Sequence, residues 1–199
     1  GGGVLDLIKS NADRLYDQVG ASIKVVKIGS RSKKPLFNDE EISFYQDVLL
    51  LADDPDIDIV LELIGGVDIA QELVRKAIIN GKHVITANKA LIASHGPELF
   101  SLAQKHSVSL RFEAAVAGSI PIVKVLRESL SSNKISCVAG IINGTTNYIM
   151  SEMAVSDRSF SDILSEAQEL GFAEADPTFD IEGIDAGHKI VILASLAFG

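Results

Sequence analysis

The chain has 199 residues, 47% of them apolar, enough to bury a core in one large or two small domains. A net charge of −9 argues against a phosphate-neutralising nucleic-acid surface, and no uninterrupted apolar stretch reaches the length of a membrane span. The single cysteine, Cys137, cannot form an internal disulfide and fits a reducing, cytoplasmic setting; no signal-peptide pattern is present.

Gly1, Gly2 and Gly3 run straight into a helical pattern over residues 4–18, carried by Val4, Leu7, Ile8 and Leu15. A β-branched run over 23–28, ending at Gly29, reads as a strand. Residues 35–39 read as loop, and 40–52 as a stretch containing a short helix. Residues 58–64 predict a buried strand turned by Gly65 and Gly66. A helix over 69–80 is stopped by Gly81. A strand over 83–86 follows, then a helix over 90–105 whose main part opens at Pro97, then a strand over 108–114. Strands alternating with helices of this length indicate βαβ units and a parallel sheet.

Near residue 118 the pattern changes. Pro121 opens a helix reaching Leu130, and residues 135–142 read as an apolar strand that takes Cys137 into the core. The polar turn at 143–147 leads into a helix, and a helix over 161–170 ends at Gly171. A carboxylate-rich loop follows, after which Asp185 caps a last helix. That helix is apolar all round over 190–194 and is therefore predicted to be buried. The fold class is α/β: a Rossmann-like doubly wound parallel sheet over 1–118, then the start of an α+β substrate and dimerisation domain over 119–199. No strand precedes the first helix and the chain stops within an apolar one. The expectation is a piece lacking the first strand of the sheet and inactive alone.

Several positions carry chemistry. Glycines before a first helix permit close approach of a pyrophosphate to the helix N-terminus, so Gly1 is a candidate cofactor contact; a flexible linker has the same composition. After the second strand, an acidic residue would accept ribose hydroxyls. Arg31 and the lysines beside it stand there instead, suited to a 2′-phosphate or simply solvated. Thr86 and Lys89 follow a strand on the side where such sheets bind ligands. The loop 171–189 places Glu174, Asp176, Asp180, Glu182 and Asp185 among Phe179, Ile181 and Ile184, so some of these acids face inward. Asp185 and Lys189 are four apart on a helix and share a face. A lysine at the mouth of a buried helix suits proton transfer, whereas a structural ion pair is the plain alternative. The four histidines are scattered and make no zinc constellation.

The array Ala167, Gly171, Asp176, Pro177, Asp180, Gly183, Asp185, Lys189 resembles the homoserine dehydrogenase signature. Residues 86–89, 113–121 and 143–147 also resemble that family. The resemblance implies interconversion of L-homoserine and L-aspartate 4-semialdehyde with NADP or NAD, in threonine, methionine and isoleucine biosynthesis. It implies that Lys189 donates and accepts the proton, with Asp185 and Lys89 at the catalytic centre. Glu174 and Asp180 then hold the substrate, and Gly144 and Thr145 join Gly1, Arg31, Thr86 and Lys89 around the cofactor. Glu113, Val116, Gly118 and Ile120 resemble a site for sodium or potassium built mainly from backbone oxygens. A homodimer is implied for the full-length protein. Two rival readings are a dehydrogenase of another small substrate, which should lack the Asp-Pro to Lys array, and a decayed non-catalytic binding module, which should lack Lys189 or the acids. All of these residues are present.

Overall fold

The computed structural model describes residues 1–32 and 42–199. The predicted loop at 35–39, the first residues of the 40–52 stretch, and Lys33 and Lys34 lie outside the described residues. The rest divides into two units, residues 1–91 with 95–111 and residues 92–94 with 112–199.

In the first unit the predicted single helix is two, α1 (Gly2–Ser10) and α2 (Ala12–Val19). Asn11 makes the break, its side-chain amide donating to the Leu7 carbonyl at 2.9 Å. Such local side-chain bonding competes with helix propagation. Neither helix buries a residue. Strand β1 (Lys27–Gly29) is shorter than expected and pairs in parallel with β2 (Ser43–Tyr45), a strand not anticipated. The short helix expected within 40–52 is α3 (Leu50–Asp53).

The second sheet of this unit has the order β3 (Ile59–Glu62), β4 (His83–Thr86), β5 (Leu110–Arg111), all parallel. Helix α4 (Asp68–Ile79) connects β3 to β4, and α5 (Lys89–Lys105) connects β4 to β5. Pro97 lies inside α5 and does not open it, because Asn88 has already capped the helix, accepting from the Leu91 N–H at 3.0 Å. Gly81 closes α4 with φ of +76°, a conformation open to glycine at little cost. The two sheets remain separate ladders.

Burial alternates along β3 and β4. Val60, Val84 and Leu110 pack into a core with Leu73, Val74, Ala77 and Ile78 of α4, all nearly inaccessible. The opposite set, Ile59, Leu61 and Ile85, is 40–48% exposed. The predicted buried strand is thus covered on one face only. Before β3, the buried Lys82 ammonium donates to the carbonyls of Asp54 (2.5 Å) and Ile57 (2.7 Å), pinning the turn that leads into it.

The second unit is helical. After a 3-10 turn at Glu113–Ala115 come α6 (Ile122–Lys124), a π-helical turn Val125–Ser129, α7 (Gly144–Val155), α8 (Phe160–Glu169), α9 (Thr178–Ile181) and α10 (Ile184–Phe198). Among the described residues, 135–142 join no sheet, and Cys137 is exposed, so the predicted core strand is corrected. An apolar run becomes a strand only when a neighbour takes its backbone groups, and this unit supplies none. In α10, Ile192 and Leu193 are buried, but Ile190 and Val191 are 56% and 49% exposed, correcting the all-round burial. Gly183, with φ of +73°, holds the cap position of α10 and Asp185 lies in its first turn; its carboxylate is engaged elsewhere.

Candidate active site

An open pocket of about 580 Å³ in the second unit is lined by Asn143, Gly144, Thr145, Tyr148, Gly171, Phe172, Asp180, Asp185 and Lys189. Three helix starts converge on it. Asn143 caps α7, accepting from the Thr146 N–H at 2.8 Å, a favoured role for asparagine. α9 carries Asp180, and the first turns of α10 carry Asp185 and Lys189 on one face.

The charged centre is compact. Lys189 Nζ lies 2.7 Å from Asp185 Oδ2 and donates to the Ile142 carbonyl at 2.6 Å. The side chains are 17% and 7% exposed, so water screens the pair poorly. The Asn143 amide donates to Asp180 Oδ1 at 2.7 Å and to Asp185 Oδ2 at 3.1 Å. One neutral group therefore bridges two carboxylates that would otherwise repel. The Thr145 hydroxyl shares its proton between Asp180 Oδ2 (2.9 Å) and the Phe172 carbonyl (2.7 Å). Two carboxylates against one ammonium leave a formal deficit of one positive charge. The wall is aromatic: the Tyr148 and Phe172 rings lie 5.0 Å apart, and burial, then the nearby Glu166 carboxylate, raises the Tyr148 hydroxyl above its ordinary pKa.

The remaining predicted residues fall elsewhere. Glu174 is exposed, two residues past Phe172, and does not line the pocket. Its backbone carbonyl accepts from Gln168 Nε2 at 3.0 Å. Glu113 spends both carboxylate oxygens on the start of α6, accepting from the N–H groups of Val123 (3.0 Å) and Lys124 (2.9 Å). The loop with Val116, Gly118 and Ile120 turns twice through positive φ, at Ala117 (49°) and Ser119 (67°), conformations that cost non-glycine residues strain.

In the first unit Gly1 caps α1 with no side-chain cap, and a Cβ at Gly1 or Gly3 would meet nothing within 4 Å. Arg31 is exposed just past β1. Thr86 ends β4, wholly buried, its hydroxyl turned to Glu62 at 2.5 Å; Lys89 begins α5, half-buried.

Asn143 lies in the motif at 143–147 but its role in the pocket is not legible from the sequence, and Tyr148 and Phe172 carry no sequence signal of a site. An asparagine directly before a helix is a cap signal, but nothing in the sequence says that its amide meets two acids from 37 and 42 residues away.

Two family models match the chain: one described as homoserine dehydrogenase, NAD binding domain, over residues 1–113, and one described as homoserine dehydrogenase, over 121–199. The homoserine dehydrogenase of Pseudomonas aeruginosa is 54% identical, matched over 100% of this chain and 46% of that protein. A solved homoserine dehydrogenase from Thiobacillus denitrificans is 52% identical with a TM-score of 0.93, over 100% of this chain and 46% of that one. A hyperthermophilic archaeal homoserine dehydrogenase solved in complex with NADPH is 29% identical with a TM-score of 0.75, over 95% of this chain and 55% of that one. The chain spans about half the length of these relatives. Among the described residues, no helix is long and apolar enough to cross a membrane.

Proposed function

The chain belongs to the homoserine dehydrogenase family, and we propose that the enzyme it forms part of interconverts L-homoserine and L-aspartate 4-semialdehyde with NADP. Residues 1–118 serve the nucleotide and 119–199 begin the substrate domain. The observation that carries the reading is the desolvated Lys189–Asp185 pair in a pocket with a second carboxylate held beside it.

The nucleotide, when bound, supplies or accepts a hydride. In the reducing direction the aldehyde carbon gains that hydride and its oxygen gains negative charge. An ammonium has three donors; two of those on Lys189 are engaged by Asp185 and Ile142. The third stabilises the substrate oxygen and passes it a proton. In oxidation Lys189 takes the hydroxyl proton back. Asp185 keeps the lysine aimed, as an orienting carboxylate does for a catalytic base. The substrate's own ammonium supplies the positive charge the pocket lacks, held by Asp180 and, from the adjoining loop, Glu174.

The open backbone at Gly1 to Gly3 and the helix start behind it suit a pyrophosphate. Arg31 would meet the 2′-phosphate, with Thr86 and Lys89 at the strand end of the same unit; the assignment of Gly144 and Thr145 to the cofactor rests on the family resemblance. The backbone of Val116, Gly118 and Ile120 would hold a sodium or potassium ion, since oxygen donors in a tightly turned loop suit a hard cation. Glu113 braces that loop through α6. The full-length enzyme is a cytoplasmic homodimer.

The test is homoserine-dependent reduction of NADP by the full-length enzyme. Lys189→Ala should lower kcat about 100-fold or more, the scale of a positioned acid–base group, while nucleotide affinity changes little. Near-normal turnover would remove Lys189 from proton transfer.

A further inference from the structure

Glu62 is the last residue of β3 and is wholly buried. A buried carboxylate is costly unless its oxygens are hydrogen-bonded, and both of these are. Oε1 accepts from the Ile64 N–H at 2.7 Å, and Oε2 accepts from the Thr86 hydroxyl at 2.5 Å. Thr86, itself wholly buried, accepts at the same oxygen from the Asn88 N–H at 2.9 Å. The Asn88 amide then reaches back to the carbonyls of Gly66 (2.6 Å) and Ile64 (3.4 Å) while its oxygen caps α5. The result is a closed circuit from the end of β3, across to the end of β4, and back to the turn after β3.

We propose that Glu62 is a positioning residue for the nicotinamide nucleotide, acting through Thr86 and Asn88. One carboxylate fixes both segments at the carboxyl ends of adjacent strands: the turn through Gly65 and Gly66, and the stretch 87–89 that opens α5 and carries Lys89. Ligands of doubly wound sheets bind just beyond those strand ends. The separation of the two segments sets the opening a nucleotide enters. Two neutral loops would each need their own anchor; an acceptor with two oxygens couples them. Thr86 therefore acts with its hydroxyl turned into the protein, serving the cofactor indirectly. This inference rests on the reading that residues 1–118 bind the nucleotide.

The test uses the full-length enzyme and NADPH, with Kd read by fluorescence and KM measured separately for nucleotide and homoserine. Thr86→Val keeps the shape and removes the hydroxyl. It should raise the NADPH Kd about tenfold or more, the worth of one charge-assisted hydrogen bond, with KM for homoserine within about twofold. Thr86→Ser keeps the hydroxyl and should restore most of the affinity. Glu62→Gln should weaken binding in the same direction, since its amide presents a donor or a single oxygen where two acceptors were needed. Wild-type affinity in both Thr86→Val and Glu62→Gln would overturn the proposal. So would a Thr86→Ser variant as weak as Thr86→Val, which would assign the effect to packing. A wild-type enzyme that binds no nicotinamide nucleotide would instead overturn the underlying reading, and this inference with it.

Discussion

Asn143→Asp isolates the amide bridge at the centre of the pocket. The two side chains have the same shape, and aspartate caps a helix as well as asparagine, so the acceptor for the Thr146 N–H is kept. What changes is the other end. The amide that donates to Asp180 at 2.7 Å and Asp185 at 3.1 Å becomes a third carboxylate at those distances. Hydrogen bonds to charged groups contribute about 1.5–3 kcal/mol each, so two lost donors cost about 3–6 kcal/mol. Like charges about 3 Å apart at an effective dielectric constant of 20 repel by about 5 kcal/mol for each of the two pairs. That repulsion is limited because one carboxyl can take up a proton. A net loss of about 3 kcal/mol or more is expected, a large part of a typical domain's 5–15 kcal/mol. Displacement of Asp185 also misaims Lys189, so turnover should fall about 100-fold or more. Asn143→Ser, which caps without adding charge, should lose less on both counts. The assay is urea unfolding of the full-length enzyme beside its kcat for homoserine. An Asn143→Asp enzyme as stable and as active as wild type would show that the bridge carries neither load.

Two further outcomes follow from the first unit. Asp54 is held below the usual carboxylate pKa, first by the Asp56 N–H and then by the Tyr45 hydroxyl at 2.8 Å, with Lys27 adding its charge. Its folded-state pKa is depressed, so its stabilisation is present above the unfolded value of about 3.9 and is lost as pH falls through the folded one. Tyr45→Phe should narrow that acid-labile share, read as a smaller drop in urea midpoint between neutral pH and pH of about 3; an unchanged drop would detach Tyr45 from Asp54. Arg31 should make the full-length enzyme prefer NADP to NAD in kcat/KM, and Arg31→Ala should erase that preference. A wild-type preference for NAD would leave Arg31 a solvated loop residue.

The elements legible in the sequence are those whose cause is local. The strand at His83–Thr86 and the helix Asp68–Ile79 with Gly81 behind it were readable because side-chain period and a left-handed glycine are properties of a few consecutive residues. The family array from Ala167 to Lys189 was readable for a similar reason, since it lies within one short stretch, and the Asp185–Lys189 pair followed from helical spacing alone. Other features depended on partners distant in the chain. β2 is a strand because β1 accepts it, whereas 135–142, with better strand composition, pairs with nothing in its unit. The apolar run of α10 stayed half-exposed because burial depends on what packs against a helix as well as on its own residues. Asn143 was visible as a cap, but the meeting of its amide with Asp180 and Asp185 arises only when the starts of α7, α9 and α10 come together. Likewise Glu62 reads as one polar letter in an apolar strand until the parallel register of β3 and β4 sets Thr86 opposite it. Sequence determines what each short segment can offer; tertiary structure decides which hydrogen-bonding and apolar groups find partners, because those partners lie tens of residues away.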